Sequence, residues 1–189
     1  ARIIRDTNYR VDDELINIEI TVEEGRKYYF GDISFVGNTK YDTPLLRSIL
    51  KINRGDIYDS QHLNERVSFD ANGNDVASIY LNNGYLFSQV VPIEKNVQND
   101  TIDVEIRIQE GRQATIRKVS ITGNERTNDH VIYREVRTRP GDLFSKAMIQ
   151  RTIRELSQLG YFDQTQIGVN PVPDPQTGTV DLEYTVVEK

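Results

Sequence analysis

The sequence predicts an α+β fold made of two similar units in tandem, and three observations carry this prediction. Glycine turns recur at one constant offset of 86 residues, Gly25 with Gly111 and Gly37-Asn38 with Gly123-Asn124. Runs of alternating apolar and polar residues, typical of strands with one buried face, flank these turns. Apolar residues at helical spacing lie between the runs. A repeat of this length indicates one small domain used twice.

The strands are the clearest local signal. Apolar and polar residues alternate over 16–22, 102–108 and 180–186, and the first two of these segments run into a glycine. A further strand is predicted after each glycine, over about 27–36 and about 113–122. Period-two alternation places one side of every strand against a core.

Two helices are predicted to follow the first strand of each unit. In the first helix Thr43 is a natural N-cap and Pro44 suits the first helical position. The corresponding helix of the second unit is expected from about Asn128 to Val136. A Gly-Asp turn then leads to the second helix, for which Asp59 and Ser145 are the predicted caps.

A hairpin is predicted to close each unit, 86–95 with 101–109 in the first and 163–171 with 179–187 in the second. Each unit therefore reads β-α-α-β-β, a three-stranded mixed sheet whose apolar face is covered by two helices. The first unit carries about ten additional residues near 66–75, for which we predict a protruding loop or an interrupted helix.

The predicted domain organisation has three parts. Residues 25–110 and 111–189 are the two full units, and residues 1–24 supply only the closing hairpin of a preceding copy. We therefore expect the chain to be a piece of a longer protein.

Composition excludes several functional classes. The net charge of −6 and the pI of about 5.0 argue against a general nucleic-acid surface, which requires clustered Lys and Arg. The absence of cysteine removes disulfides, zinc–thiolate sites and cysteine nucleophiles. The mean hydropathy is −0.55, and no apolar run approaches the roughly 18–20 residues that a spanning helix needs.

The order of these elements resembles the POTRA domains of outer-membrane barrel-assembly proteins of the BamA type. The likeness covers nearly the whole chain and is carried most clearly by Ile116–Asn124, Tyr133–Arg137 and Leu156–Phe162. It implies that 25–110 is the penultimate POTRA domain and 111–189 the last one before a membrane barrel. It also implies a periplasmic location, no enzymatic activity and no cofactor. The implied partners are unfolded outer-membrane β-barrel proteins, accessory lipoproteins and the chain's own C-terminal barrel.

Strand addition is the first predicted binding mode, because a three-stranded sheet leaves backbone groups free at its edges. Pro92 and Pro171 lie in the second strands, and proline favours an edge. The predicted client-binding residues are Ser88, Gln89, Val90, Val91, Thr165, Gln166 and Ile167. The alternative, left open here, is that the prolines protect these edges against pairing.

A docking patch in the second unit is the other predicted site. Glu135 replaces the apolar Ile49 of the first unit, and Arg134 and Arg137 flank it. Such a cluster suits a salt bridge to a partner, and the resemblance implies that an accessory lipoprotein docks there. The alternative is a solvated helix face with internal ion pairing.

Other readings are weaker. A POTRA array of a two-partner secretion system or another barrel translocator is the nearest alternative. A KH-like RNA-binding module is remote, because the loop between the helices lacks the second glycine and contains an acid. Asp70–Asp75 fails the EF-hand spacing, and His62 and His130 occupy non-equivalent positions, so no metal site is expected. Arg54-Gly55-Asp56 is explained by the shared Gly-Asp turn.

Overall fold

The computed structural model describes residues 2–10, 16–23 and 25–189. Strands β1 (Arg2–Arg10) and β2 (Ile16–Glu23) pair antiparallel, as the alternation predicted. Residue 24, the predicted end of this first part, lies outside the described residues. Ile16, Ile18 and Ile20 are more than half exposed, so no described element covers the apolar face of this hairpin.

The first full unit has a mixed three-stranded sheet. Its elements in order are β3 (Tyr29–Val36), α1 (Thr43–Leu50), α2 (Ser60–Asn64), a π-helical turn (Glu65–Phe69), α3 (Val76–Asn82), β4 (Gln89–Gln98) and β5 (Thr101–Gln109). The strand order is β3-β5-β4. The third strand is therefore central, parallel to β3 and antiparallel to β4.

The second unit repeats this topology without the interruption. Its elements are β6 (Thr115–Thr122), α4 (Asp129–Tyr133), α5 (Lys146–Gln158), β7 (Gly168–Asp174) and β8 (Thr179–Thr185). The strand order is β6-β8-β7, again with a parallel and an antiparallel pair. The predicted α+β fold with a mixed sheet and helices on one face is confirmed.

Each unit has its own core between the helices and one face of its sheet. Leu46 and Tyr80 from the helices meet Ile106 of the central strand in the first core, and all three are fully buried. In the second core Leu156 of α5 and Leu182 of the central strand are likewise fully buried. The alternating residues of the central strands therefore face inward, as the sequence pattern requires.

The helix starts agree with the prediction at two of three positions. Asp59 and Ser145 are N-caps whose side chains accept backbone N–H groups. The cap of α1 is Asp42, whose Oδ1 accepts from Leu45 N at 3.1 Å, so the prediction of Thr43 was wrong. Two adjacent residues had suitable acceptors, and the carboxylate one position earlier captured the free N–H of the first turn.

The additional residues of the first unit form an interrupted helix, one of the two predicted outcomes. A π-helical turn ends α2, and a short turn at 70–74 leads to α3. Arg66 anchors the insertion, since its Nε donates to Leu50 O at the end of α1 over 3.0 Å. Asp75 is buried and caps α3 by accepting from Ser78 N at 2.8 Å. The insertion is thereby folded back against its own unit.

Helix α3, which follows the insertion, and the turn after it contact the second unit. Oδ1 of Asn82 accepts a hydrogen bond from Ala147 N in the first turn of α5 at 2.8 Å. Lys146 Nζ donates to Ser78 Oγ at 3.1 Å, and Ala114 N donates to Gly84 O at 2.8 Å. Asn82 at the end of α3 therefore satisfies a backbone N–H that the next unit leaves free at a helix start.

A glutamate after the central strand ties down the strand–helix loop in each unit. Glu110 accepts from Thr39 Oγ1 at 2.5 Å and from Lys40 N at 2.7 Å. Glu188 accepts from Thr127 N at 2.6 Å and from Arg126 N at 3.0 Å. These backbone bonds replace the partners that the loop N–H groups would otherwise find in water.

Acid is expected to weaken the second unit through Glu188. Hydrogen bonding from Thr127 lowers the pKa of Glu188 to about 2, against a smaller opposing effect of partial burial, and Arg126 adds to the lowering. Because the folded pKa lies below the usual 4.5, the stabilisation is fully present above about pH 4.5 and is lost as the pH falls toward 2. The urea midpoint of the Glu188→Gln variant should therefore change less between pH 6 and pH 3 than that of the parent chain.

The control is Glu125→Gln, which removes an exposed carboxylate from the same unit. That variant should keep the acid dependence of the parent. Parallel pH profiles for the parent chain and Glu188→Gln would show that this carboxylate is not the acid-sensitive group.

Candidate functional site

Both sheets have the second strand at an edge, as predicted. β5 and β8 are central, so β4 and β7 each pair on one side only. β3 and β6 are also edge strands. Which of these edges has free backbone groups depends on the loops and side chains that lie against them.

The edge of the first strand is occupied by the Gly-Asp turn of its own unit. In the first unit Phe30 N donates to Asp56 O at 2.9 Å, and Gly55 N donates to Phe30 O at 2.8 Å. Arg47 Nη2 donates to Ile33 O at 2.8 Å farther along the same edge. The outward backbone groups of Phe30 and the carbonyl of Ile33 are therefore already bonded within the unit.

The second unit covers the edge of β6 in the same way. Ile116 N donates to Asp142 O at 2.8 Å, and Gly141 N donates to Ile116 O at 2.8 Å. The recurrence of Gly-Asp in the sequence thus reflects one structural task performed twice. It leaves the second strands, β4 and β7, as the candidate edges for strand addition.

In β4 the outward backbone positions can be identified. Opposite residues of an antiparallel pair alternate between pairs that exchange hydrogen bonds and pairs that do not. Ser68 Oγ donates to Val90 O at 3.1 Å, so Val90 faces away from β5. Pro92 and Glu94 share this orientation by the register with Ile106 and Val104. The N–H that Pro92 lacks is thus missing from the free edge and not from the ladder.

The predicted residues of the first unit lie at the start of this edge. Gln89, Val90 and Val91 are in β4. Ser88 precedes the strand by one residue, and its hydroxyl is buried with no hydrogen-bond partner among the described residues. Val90 packs into the core and Val91 is half exposed on the opposite face. The π-helical turn that borders this end of the strand was not anticipated.

In the second unit the predicted positions were wrong as strand residues. β7 runs from Gly168 to Asp174 and not over 163–171. Thr165 N donates to Oδ1 of Asp163 at 2.9 Å, and Gln166 N donates to Asp163 O at 3.1 Å. Ile167 comes immediately before β7 and packs against the core.

The reason for this error is local hydrogen bonding. An aspartate that accepts the N–H two residues later forms an Asx turn, which competes with strand pairing. The alternation of Thr165, Gln166 and Ile167 resembles a strand in sequence, yet the turn shifts the strand start toward the C-terminus. The shift also brings a second proline, Pro173, into β7, and the spacing Pro-Val-Pro could have indicated an edge strand from the sequence.

The structure does bring the predicted docking residues together. Arg134 Nε lies 2.9 Å from Glu135 Oε1, and Arg137 Nη2 lies 3.7 Å from Glu135 Oε2. Arg137 also pairs with Glu155 of α5 at 2.5 Å, and Arg151 reaches the same carboxylate at 2.9 Å. The residues form one ion-pair network that links the end of α4 to α5.

The network leaves a cationic surface. Arg134 has 70% of its side chain exposed, whereas the Glu135 side chain is only 19% exposed. Hydrogen bonds from Arg137 and Arg151 lower the pKa of Glu155. Glu135 therefore acts within the patch mainly by holding the two arginines, which present their remaining N–H donors to solvent. Sequence alone did not reveal the contribution of Glu155 and Arg151.

Neither a metal site nor a membrane-spanning helix is supported by the described part of the chain. Within it, no cluster of three or more His, Asp or Glu side chains has the geometry to hold a metal ion. Asp70 instead accepts from Asn72 N at 2.6 Å and pairs with Arg66 at 3.5 Å. Of the helices that the structure describes, none combines the length and apolar character required to cross a membrane.

Comparisons of sequence and of fold match this chain to the same group of proteins. The family model described as POTRA, surface antigen variable number repeat, matches residues 28–111 and again residues 114–189. Outer membrane protein assembly factor BamA of Neisseria meningitidis serogroup B is 29% identical over 194 residues, covering 98% of this chain and 23% of that protein. BamA of Nitratidesulfovibrio vulgaris is 28% identical over 182 residues, covering 94% of this chain and 22% of that protein.

The fold matches a solved structure over nearly its whole length. The crystal structure of Haemophilus influenzae BamA POTRA3-5 superimposes with a TM-score of 0.72 at 21% identity, covering 99% of this chain and 72% of that one. This chain spans only about a fifth of the length of the curated relatives. The two family matches fall on the two β-α-α-β-β units described above. The chain therefore belongs to the POTRA family.

Proposed function

We propose that this chain is the periplasmic POTRA region of an outer-membrane protein assembly factor, adjoining a C-terminal membrane barrel. In this proposal it is divided into the closing hairpin of a preceding domain (1–24), a penultimate domain (25–110) and a last domain (111–189). It binds unfolded outer-membrane β-barrel proteins by strand addition and docks accessory lipoproteins. In this proposal the chain binds and positions these proteins, which requires neither catalysis nor a cofactor.

One observation carries this proposal: in two repeated units the unit's own Gly-Asp turn occupies the start of the outer edge of the first strand, while the second strand also pairs on one side only. Free N–H and C=O groups along an extended strand are the recognition elements for another extended chain. An unfolded barrel protein is rich in segments that alternate apolar and polar residues and can take this form. The relatives and the matched fold support the assignment to an assembly factor.

Hydrogen–deuterium exchange of the intact chain tests strand addition. The probe is a synthetic peptide of about ten residues that copies one strand of an outer-membrane barrel protein. At saturating peptide we expect slower exchange of the outward amides of β4, because they gain carbonyl partners. The control is a peptide of the same length with proline at every second position, since it cannot form a ladder. Unchanged exchange along every described strand edge would reject strand addition by this chain.

The docking proposal rests on the patch of Arg134, Glu135 and Arg137. Its occupant is an accessory lipoprotein that presents acidic side chains to the exposed Arg134. The proposed role of Glu135 is to orient the two arginines through the contacts at 2.9 and 3.7 Å. Charge-assisted bonds from guanidinium N–H groups give arginine patches their preference for carboxylates.

Reversing the charge at Glu135 is expected to weaken docking by roughly tenfold, since a Glu135→Lys variant repels both arginines and disorders the patch. Binding would be measured by fluorescence anisotropy with the soluble domain of the accessory lipoprotein. Glu125→Lys is the matched control, because it makes the same charge change at an exposed position of the same unit. Equal affinities for the two variants, with unchanged circular dichroism, would contradict the assignment of this patch.

A further inference from the structure

We propose that strand addition is confined to the first unit, at β4, and that two prolines close the corresponding edge of the second unit. This inference rests on the proposed function, because it states which of two equivalent edges takes the client strand. It is carried by the register of the two sheets and by the residues whose backbone faces outward.

The outward edge of β7 lacks donors at two of its three positions. Pro171 lies opposite Leu182 and Pro173 lies opposite Val180. Proline has no N–H, so these are the pairs that exchange no hydrogen bonds with β8, and both residues face outward. Val169 is the remaining outward position within β7. The edge therefore presents carbonyls at two of its three outward positions and nothing that can satisfy the carbonyls of an incoming chain there.

A ladder along β7 would leave those incoming carbonyls unpaired as the strand is buried. A polar group left without a partner costs more free energy than a net hydrogen bond contributes. Two missing donors thus offset the bonds that a short strand of seven residues can form. The prolines act in β7 as edge protection, which was the alternative that the sequence left open.

The outward edge of β4 differs from that of β7 in the number of its prolines and in its length. This strand has ten residues and one outward proline, Pro92. Glu94 lies opposite Val104 and faces outward with its N–H intact. After a register shift, Val97 lies opposite Ile102, which has the same orientation in β5 as Val104. The stretch from Pro92 to Gln98 therefore offers donors and acceptors in alternation.

The π-helical turn sets one end of this surface. Ser68 already donates to the carbonyl of Val90 at 3.1 Å, so a client cannot use that acceptor without displacing the hydroxyl. The next residue, Phe69, is 75% exposed beside this end of the strand. A client strand is thus limited to positions beyond Val90, and Phe69 supplies an apolar surface where it ends. The second unit has no insertion of this kind at the corresponding place.

Exchange of individual amides with the ten-residue barrel-strand peptide tests this inference. In the parent chain we expect the amides of Glu94 and Val97 to exchange at least about tenfold more slowly with peptide, and 168–174 to be unchanged. In the double variant Pro171→Val, Pro173→Val, which restores both donors, residues 168–174 should become protected as well. Light scattering checks that the opened edge has not paired with a second copy of the chain.

A matched pair of variants in β4 provides the complementary test. Glu94→Pro removes an outward donor, whereas Glu94→Ala removes the carboxylate and keeps the N–H. Only the proline variant should lose the peptide-induced protection. Two results would overturn the confinement to β4 while leaving strand addition intact. One is protection of residues 168–174 in the parent chain, and the other is a lack of protection of these residues in the double variant. No protection at either edge would overturn the proposed function itself.

Discussion

Alanine at Gly37 is expected to destabilise the first unit by roughly 4 kcal/mol or more, at the upper end of single substitutions. Gly37 directly follows β3 and has a φ of 91°, which L side chains rarely adopt. A Cβ atom built there lies only 2.1 Å from the carbonyl oxygen of Ile108 in the central strand. That oxygen belongs to the sheet backbone, so it cannot move away without disturbing the pairing of β5. The strain at an alanine therefore cannot be relieved without disturbing the sheet.

Gly55 is the matched control within the same unit. Its φ is also 91°, but an added Cβ meets nothing within 4 Å. Gly55→Ala should therefore cost only the backbone strain of about 1–2 kcal/mol. Urea titrations followed by circular dichroism would compare the two, since the chain has no tryptophan to report unfolding. Equal costs at the two glycines would show that the close approach to Ile108 does not limit stability.

Truncation of Tyr80 to alanine is the second large expected effect, about 3–5 kcal/mol. Tyr80 is fully buried and is among the largest buried side chains of the described residues. Its ring packs edge-on against Tyr41 and Tyr85, with ring centres 4.9 and 6.0 Å away. Because α3 follows the insertion and also contacts the second unit, we expect the loss to loosen α3 and the contacts that it makes with α5.

Tyr80→Phe separates the ring from its hydroxyl. The hydroxyl donates to Glu110 Oε1 at 3.2 Å, and burial, together with this carboxylate, raises the pKa of Tyr80. Removal of one hydrogen bond to a carboxylate should cost about 1.5–3 kcal/mol, below the cost of the alanine variant. Circular dichroism melts of the two variants measure the difference. A phenylalanine variant as unstable as the alanine variant would place the stabilisation in the Glu110 contact and not in packing.

The two units show where sequence patterns predict structure well. Alternation over 102–108 and 180–186 correctly predicted the central strands, because both of their neighbours and the core fix their register. Ser145 was correctly predicted as a cap, since neither neighbour has a competing acceptor, and Asp59 was correctly predicted although Ser60 follows it. At Asp42 and Thr43 two acceptors stood side by side, and only the path of the chain decided between them. At Thr165 an Asx turn overrode the strand pattern.

Some residues of the candidate sites could be predicted from the sequence, and others could not. Arg134, Glu135 and Arg137 were found by comparing one repeat with the other, which shows where a charge replaces an apolar residue. Glu155 completes that network from another helix, and a contact of this range has no signature in a single sequence. Ser68 and Arg47 were missed for the same reason, because each donates to a strand carbonyl distant in the chain.

The sequence by itself determined the number of units, the order of their elements and the residues that face each core, because turn glycines and apolar periodicity are local consequences of backbone geometry. Only the tertiary structure decided which edges are closed and which backbone groups remain free. That outcome depends on pairing register, where a shift of one residue reverses the direction of every N–H. Pro171 and Pro173 are visible in the sequence, but the register turns them from two prolines into a closed edge.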